Sequence, residues 1–310
     1  MTVRAGVIGV GYLGRHHARI YSEIEDAQLV AVADTDMAAA EQIARTYGCK
    51  AFSDYRQMLG LCDAVSIVTP TTLHYRVAMD CIDAGVDLLV EKPITAEISE
   101  AMRIVEAAGK KNLILQVGHL ERYNPGLLAA SDMIADPRFI ESRRLSPFMG
   151  RADDVDVTFD LMIHDIDIVL SLAQSPLADI RAVGGSMVTN RIDITKAWLE
   201  FENGCIAVIT ASRLETEKVR TLRLFQKDTV LMIDYQKQEL TRQQRADNRV
   251  TTERIQPESR EPLKEEIRDF VRCVLTRQEP RVSGIVALNA LEVALKINGM
   301  VGSNRKQDRK

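Results

Sequence analysis

The chain has 310 residues, of which 46% are hydrophobic and 27% charged, and its 40 basic and 44 acidic residues leave a net charge of −4. This composition is typical of a soluble globular protein of about two domains, and the near balance of charge argues against a nucleic-acid-binding surface. Five cysteines without CxxC spacing predict reduced core thiols, and the absence of a charged leader or a long apolar run predicts a cytoplasmic protein without a membrane span.

The first 118 or so residues alternate short apolar runs with helical patterns. The runs are AGVIGV, AQLVAVAD, AVSIVTP, VDLLVEKP and NLILQVGH. Between them lie segments such as MAAAEQIARTY and EISEAMRIVEAAGKK, with apolar residues at three- and four-residue spacing. Continuous apolar strands between helices are typical of a parallel sheet covered on both faces, and right-handed crossovers make it doubly wound. The sequence therefore predicts an α/β domain over residues 1–119.

The pattern changes after residue 120. Two helical segments, around residues 125–135 and 159–173, precede a region with strand alternation. There IDITKAWLEFENGCIAVITASR predicts a hairpin, whose Asn203-Gly204 pair favours a two-residue type I′ turn. KVRTLRLFQKDTVLMIDY continues the antiparallel meander, and Pro262 begins an amphipathic helix. We expect an α+β domain over residues 120–282 and a last helix, within residues 283–310, that packs back on the first domain.

The stretch GVGYLG lies between the first predicted strand and the first predicted helix. Its Gly9, Gly11 and Gly14 have the GxGxxG spacing, and Asp34 ends the next strand 20 residues after Gly14. The first glycine permits a tight turn, the second lets the backbone approach a pyrophosphate, and the third lets helix pack on strand. The amides at the helix N-terminus then face the phosphates. The alternative is an ordinary glycine turn without a ligand, but the combined context favours a dinucleotide.

Asp34 indicates which dinucleotide binds. A carboxylate at this position accepts hydrogen bonds from the adenosine ribose 2′-hydroxyl and repels a 2′-phosphate. Residues 35–37, Thr-Asp-Met, contain no basic side chain that could receive that phosphate. We therefore predict a Rossmann domain with NAD as its cofactor, with Tyr12 and Leu13 of the glycine turn also at the cofactor.

Two further segments carry chemistry that packing does not require. VEKP, residues 90–93, ends a buried strand at the edge where open α/β sheets bind ligands; the alternative is that Lys92 simply begins a loop. In FDLMIHDIDIVLSL, Asp160 and His164 share a helix face, and Asp167 follows one turn later. Such a polar stripe is costly in an apolar helix unless it serves a site or forms structural hydrogen bonds. No metal is predicted, since neither an HExxH pattern nor a cysteine partner accompanies the pair.

The motifs GVIGVGYLGRHH, TPTTLH, VEKP, QVGHLERYNP and DLMIHDIDIVL occur in the order and spacing of the glucose–fructose oxidoreductase/inositol dehydrogenase/MocA family. The chain resembles this family over essentially its whole length. The resemblance implies a second domain whose open, mostly antiparallel sheet builds a homodimer or homotetramer. It also implies that Lys92, Asp160 and His164 are catalytic, and that the bond between Lys92 and Pro93 is cis.

The resemblance further implies which residues line the nicotinamide half of the cofactor site: Thr69, Pro70, Thr71, His74, Glu91, Lys92 and Gln116. GHLERYNP is similar to the GH-x-ERFNP segment of a nucleotide-sugar branch, with Tyr123 in place of the usual Phe. Members of that branch oxidise the 3-hydroxyl of UDP-N-acetylglucosamine or its uronic acid during amino-sugar biosynthesis. Residues implied to bind the substrate are Lys92, Arg122, Tyr123, Asn124, Asp160 and His164.

The residue chemistry predicts a mechanism for oxidising a sugar hydroxyl. His164 is the natural general base, because histidine titrates near neutral pH, and Asp160 would orient it. Lys92 would stabilise the developing negative charge on oxygen, and the roles of Lys92 and His164 could be exchanged. One alternative is a free-polyol dehydrogenase of the same family. A non-catalytic NAD-binding regulator is the other, and the presence of both Lys92 and His164 argues against it.

Overall fold

The structure is a computed structural model that describes residues 2–148, 150 and 155–307, with side chains to residue 303. Two compact units make up the chain. The first comprises Met1–Leu120 and Glu261–Leu288, and the second comprises Glu121–Arg260 and Asn289–Lys310. The sequence predicted that residues 120–282 form one domain, but the chain returns to the first unit at residue 261.

A six-stranded parallel sheet forms the centre of the first unit. Its strands are β1 (Val3–Ile8), β2 (Ala27–Ala33), β3 (Lys50–Phe52), β4 (Ala64–Ile67), β5 (Asp87–Glu91) and β6 (Leu115–Gly118). The strand order is β3-β2-β1-β4-β5-β6, which confirms the doubly wound arrangement. The helices between the strands are α1 (Tyr12–Glu23), α2 (Met37–Tyr47), α3 (Thr71–Asp83) and α4 (Ile98–Lys110).

The second unit contains an eight-stranded sheet. Its strands are β7 (Phe139–Leu145), β8 (Leu177–Gly185), β9 (Ile194–Phe201), β10 (Ile206–Ser212), β11 (Val219–Phe225), β12 (Thr229–Asp234), β13 (Glu239–Ala246) and β14 (Arg249–Ile255). The order is β14-β13-β12-β11-β7-β10-β9-β8, and only the β7–β10 pair is parallel among these strands. The helices are α5 (Pro125–Ala130) and α6 (Ile163–Ala173), the latter preceded by a π-helical turn over Thr158–Met162. The predicted open, mostly antiparallel sheet is confirmed.

Helix α7 (Pro262–Thr276) belongs to the first unit, whereas the sequence analysis assigned it to the second domain. Its predicted apolar face is present, with Ile267 and Phe270 fully buried. That face packs into the core formed by β1, α1 and β2, with Val3, Ile20 and other apolar residues. Position along the chain suggested the wrong partner, because an amphipathic face specifies burial but not which sheet buries it.

The last helix, α8 (Gly284–Gln307), was expected to pack on the first domain. From Asn289 onward it belongs to the second unit, where Val293, Ile297 and Val301 join the core of the eight-stranded sheet. Among the described residues, this is the one helix long and apolar enough to cross a membrane, over Gly284–Ser303. Its packing is that of a core helix.

The hairpin between β9 and β10 is present, but the predicted type I′ turn is wrong. Gly204 N donates to Phe201 O at 2.9 Å, and Phe201 N donates to Cys205 O at 2.9 Å. Gly204 has φ 83°, whereas Asn203 does not adopt a positive φ. The connection is therefore a three-residue loop with a left-handed glycine. The Asn203 side chain explains the difference, since it donates to Ala173 O and accepts from Cys205 N, both at 3.0 Å.

Candidate active site

The glycine turn connects β1 to α1 in a conformation that demands small residues. Gly9 has φ +91°, and a Cβ atom there would lie 2.6 Å from Val68 O. A Cβ atom on Gly14 would lie 1.9 Å from Gly9 O, so helix and turn are in close contact. Gly11 is the exception, because no heavy atom lies within 4 Å of its Cβ position. The turn therefore has open space at the one glycine that is expected to face a pyrophosphate.

The first turn of α1 is free to bind an anion. Gly11 is its N-cap residue and provides no side-chain hydrogen bond, so the first amides of the helix have no side-chain cap. Tyr12 is 81% exposed beside this turn, and Leu13 packs partly against the core of the first unit. The helix N-terminus thus has the form that dinucleotide phosphates require.

Asp34 is held at the end of β2 by two backbone amides. Its Oδ2 accepts from Val10 N at 2.8 Å, and its Oδ1 accepts from Asp36 N at 2.9 Å. Asp34 lines a cavity of about 220 Å³ together with Gly9 and Gly11. The fixed carboxylate, the open space at Gly11 and the uncapped helix together fit the adenosine and pyrophosphate of NAD.

Arg76 also lines this cavity, and the sequence analysis did not identify it. It lies on α3, 42 residues beyond Asp34, where no local motif marks it. Thr69 and Pro70 also line this cavity, and Thr71 begins α3 beside them. Their predicted place at the nicotinamide half of the cofactor stays a prediction. Because a cation is already present, exclusion of a 2′-phosphate depends on the charge of Asp34.

His74 connects the two loops that follow β4 and β5. Its Nε2 lies 2.9 Å from Thr69 O and its Nδ1 lies 3.0 Å from Pro93 O, and a neutral imidazole donates from only one of these nitrogens. The ring is 1% exposed, and burial lowers its pKa. Its position fits a residue that orients the loop containing Lys92 rather than one that contacts the cofactor. The Lys92–Pro93 bond is cis, as expected.

Glu91 is buried below Lys92 instead of projecting into an open site. Its Oε1 lies 3.2 Å from Nε2 of His17 on α1, and its Oε2 accepts from Lys92 N at 3.2 Å. A Cβ atom on Gly118 would lie 2.9 Å from the Glu91 carboxylate, so a side chain at this position of β6 would displace that carboxylate. His17, the second histidine of the GRHH segment, was not predicted as a site residue from the sequence. Glu91 and His17 together support the backbone from which Lys92 projects.

Gln116, which is predicted to line the nicotinamide half of the cofactor site, lies in the interior of the first unit. It is fully buried on β6, and its Nε2 donates to Glu266 O at 3.1 Å. Glu266 on α7 is also fully buried, and neither of its carboxylate oxygens has a hydrogen-bond partner among the described residues. Burial, and secondarily the charge of Glu91, raises the pKa of Glu266 well above its usual range. Burial in the core of the first unit therefore favours the protonated form of Glu266.

In the second unit, Asp160 lies on the π-helical turn and His164 follows at the start of α6. A regular helix over residues 159–173 was expected, so the first turn differs. Turns of this type occur often at functional sites, and here it changes the helical spacing between the two side chains. His164 is 9% exposed, whereas Asp160 lines a cavity.

Asp167 and Arg122 are paired. The Asp167 carboxylate is 1% exposed, and its Oδ2 lies 3.5 Å from Arg122 Nε. Arg122 was expected to bind substrate, but at least part of its charge neutralises Asp167. The polar stripe predicted on α6 thus has a structural partner at its far end.

The ERYNP segment holds the second unit together. Arg144 is 2% exposed, and its Nη1 lies 2.9 Å from Glu121 Oε1 while its Nε lies 2.7 Å from Asp165 Oδ2. Asn124 caps α5 by accepting from Gly126 N at 3.0 Å, and it donates to the carbonyl of Tyr235 at 3.0 Å. Asn124 is 2% exposed and Tyr123 3% exposed. Both side chains are therefore buried within the second unit, and their contact with substrate stays a prediction.

A cavity of about 680 Å³ lies within the second unit. Asp160 and Phe148 line this cavity. Four basic side chains that were not predicted from the sequence also line it: Arg144, Arg213, Lys218 and Arg220. The alternating segment KVR was the available signal, because it places Lys218 and Arg220 on one face of a strand. The charge of Arg220 lowers the pKa of Lys218, and burial together with Arg144 lowers that of Arg220. Mutual repulsion of this kind favours an anionic ligand.

A doubly wound sheet with an open glycine turn and a fixed carboxylate at the end of β2, together with an α+β unit, is typical of an NAD-dependent oxidoreductase. Residues 3–119 match the model of the oxidoreductase family with an NAD-binding Rossmann fold, and residues 129–228 match the GFO/IDH/MocA C-terminal domain. The chain belongs to the glucose–fructose oxidoreductase/inositol dehydrogenase/MocA family.

Relatives within the family act on different sugars. The chain is 36% identical to the UDP-N-acetylglucosamine 3-dehydrogenase of Acidithiobacillus ferrooxidans, over 95% of this chain and 96% of that protein. A solved structure of that enzyme superposes with a TM-score of 0.93 over 98% of this chain and 99% of the other. The inositol 2-dehydrogenase of Rhizobium meliloti is 31% identical over 70% of each chain. Levoglucosan dehydrogenase in complex with NADH, 17% identical with a TM-score of 0.90 over 98% of each chain, shares the fold.

Proposed function

We propose that this protein oxidises the 3-hydroxyl of UDP-N-acetylglucosamine, or of a close UDP-linked relative, to a ketone with NAD as oxidant. The observation that carries the proposal is the 36% identity to a UDP-N-acetylglucosamine 3-dehydrogenase across nearly the whole of both chains. The likeness to inositol dehydrogenases covers less of each chain. The basic cavity beside Asp160 adds support, because a nucleotide sugar carries a diphosphate and a free polyol carries no charge.

The proposed mechanism assigns one role to each of three side chains. Bound NAD supplies a nicotinamide ring that accepts hydride from C3 of the sugar. His164 takes the proton of the 3-hydroxyl, so the oxygen keeps the electron pair that forms the carbonyl as the C–H bond breaks. Asp160 orients His164 and stabilises its cationic form. Lys92 donates a hydrogen bond to the same oxygen and stabilises its developing negative charge.

We also propose a cytoplasmic homodimer or homotetramer assembled through the face of the sheet that carries Trp198. Trp198 is 39% exposed on β9, and Val183 on β8, which is paired with Lys196, is 61% exposed. Large apolar side chains on one sheet face are typical of a surface buried in an assembly. All five cysteines are free, as expected in a reducing compartment. Sedimentation velocity measures the assembly directly.

The proposed function is tested by following NADH formation at 340 nm with a panel of sugars. The panel contains UDP-N-acetylglucosamine, its uronic acid, free N-acetylglucosamine and inositol, with a coupled aminotransferase to remove the ketone. We expect turnover with a UDP-sugar only. In a parallel reaction without the aminotransferase, reduction of the ketone with borodeuteride should place deuterium at C3. If only a free polyol is oxidised, and UDP neither binds nor inhibits, the protein is a polyol dehydrogenase instead.

A further inference from the structure

The basic side chains around the cavity of the second unit differ in how far their charges are already neutralised. Arg144 is paired with two carboxylates, Glu121 and Asp165. Arg213 is 4% exposed, donates to Val155 O at 2.7 Å and lies 3.9 Å from the Asp193 carboxylate. These two arginines form the wall of the cavity, and their positive charge is largely compensated.

Lys218 and Arg220 are the two basic groups whose charge remains available. Within the described part of the chain, the Lys218 ammonium forms no ion pair and no hydrogen bond. Arg220 has one ionic contact, 3.5 Å from Glu121 Oε1, and that oxygen is already bound by Arg144 at 2.9 Å. Both groups line the cavity, with Lys218 immediately before β11 and Arg220 on it. Because protein carboxylates do not fully neutralise these two neighbouring cations, the pair stabilises a bound dianion.

We propose that Lys218 and Arg220 bind the diphosphate of the nucleotide sugar, with Phe148 against its pyrimidine ring. This inference rests on the proposed function for the identity of the ligand. The planar guanidinium of Arg220 can donate two hydrogen bonds to one phosphate, while the Lys218 ammonium acts as a point charge for the other. Phe148 is 39% exposed at the same cavity, and aromatic rings stack on bases of any sequence.

The dimensions and the position of the cavity agree with this assignment. Its volume of about 680 Å³ lies within the range of small-molecule sites. Asp160, the residue proposed to orient the general base, lines the same cavity. A ligand with its phosphates on Lys218 and Arg220 therefore has room to extend its sugar toward Asp160. A free polyol could not use the two cations, so they determine specificity rather than chemistry.

The test measures UDP binding to the NAD-loaded protein by isothermal titration calorimetry. We expect Lys218→Gln and Arg220→Gln each to weaken UDP binding by about tenfold or more, equivalent to about 1.4 kcal/mol. Phe148→Ala should weaken UDP binding but leave inorganic pyrophosphate binding unchanged. Lys237→Gln is the matched control, because it removes an exposed lysine, 72% accessible, from the turn between β12 and β13 of the same unit. Lys218→Gln is the decisive variant if Arg220→Gln fails to fold.

Kinetics with UDP-N-acetylglucosamine separate this inference from the proposed function. Lys218→Gln should raise KM about tenfold with kcat nearly unchanged, as loss of uniform binding predicts. If the wild type oxidises the UDP-sugar but both variants keep its KM, the assignment of Lys218 and Arg220 is wrong and the proposed function stands. If UDP binds through both residues but no UDP-sugar is oxidised, the proposed function is wrong and the binding site stands. Displacement of UDP by NAD would also overturn the assignment.

Discussion

Two glycines of the same turn should respond in opposite ways to the same substitution. In Gly14→Ala the new carbon would lie 1.9 Å from Gly9 O, so helix α1 or the turn must retreat by about 1 Å. Overpacking of this kind costs about 1–3 kcal/mol, and Tm falls by about 2–4 °C per kcal/mol in a protein of this size. We therefore expect a Tm lower by several degrees and weakened NAD binding.

Gly11→Ala should leave the fold intact. No heavy atom lies within 4 Å of the new carbon, and the backbone at φ −63°, ψ −159° suits alanine. The methyl group would instead occupy the space through which the pyrophosphate approaches the backbone. We expect an unchanged Tm without NAD and an NAD dissociation constant raised about tenfold or more, a loss of about 1.4 kcal/mol.

Scanning calorimetry with and without NAD, combined with calorimetric titration of NAD, distinguishes the two variants. Gly11→Ala is the more informative variant, because it should lower NAD affinity without lowering Tm. Wild-type NAD affinity in Gly11→Ala would show that the pyrophosphate does not lie over this turn. A wild-type Tm in Gly14→Ala would show that the close contact between α1 and the turn is absent.

Three further predictions concern the cofactor, the chemistry and stability. Asp34→Asn should weaken NAD binding and strengthen NADP binding. The preference for NAD should fall about tenfold to a hundredfold, because a charged hydrogen bond is worth about 1.5–3 kcal/mol. Adding Arg76→Gln should remove the gain in NADP affinity, and an unchanged ratio of the two affinities in titrations would contradict the role of Asp34. Lys92→Met and His164→Ala should each lower kcat by ~10²–10⁴ while Tm and NAD affinity persist, and near-full activity of His164→Ala at neutral pH would exclude it as the base. A raised pKa keeps the proton on Glu266 in the folded protein, whereas the unfolded chain ionises it above the ordinary carboxyl pKa of 4.5, so the wild type loses stability as pH rises. Glu266→Gln should therefore raise Tm more at pH 8 than at pH 5. Equal changes in Tm at the two pH values would refute a raised pKa.

The cofactor half of the site could be predicted because its signals are local. The glycine spacing, the strand before it and Asp34 all lie within 34 residues, and each follows from backbone geometry at one strand edge. Asn203-Gly204 shows the limit of such reasoning. The pair favours one turn type, but the Asn203 side chain stabilises another by donating to Ala173 O and accepting from Cys205 N.

The substrate half was harder to predict, because polar residues in a motif do not reveal their partners. Arg122 and Asn124 were predicted to contact substrate, but the first lies against Asp167 and the second caps a helix. Arg144 lies on β7 and Asp165 follows 21 residues later on α6, and only the packing of that helix on the sheet brings them together. Lys218 and Arg220 were overlooked for the same reason, since their alternation also suits any exposed strand.

The return of the chain to the first unit at Glu261 affects how the two units can be separated. A fragment ending at Leu120 lacks α7, and the core around Val3 and Ile20 would face water where Ile267 and Phe270 now pack. The cofactor unit is therefore discontinuous in sequence, and the residues between 120 and 261 form an insertion within it. Recombination that exchanges the second unit between relatives then requires two crossovers, one on each side of the insertion. The end of α8 must be exchanged with it, because residues from Asn289 onward belong to the second unit. A folded cofactor unit alone requires a linker that joins Leu120 directly to Glu261.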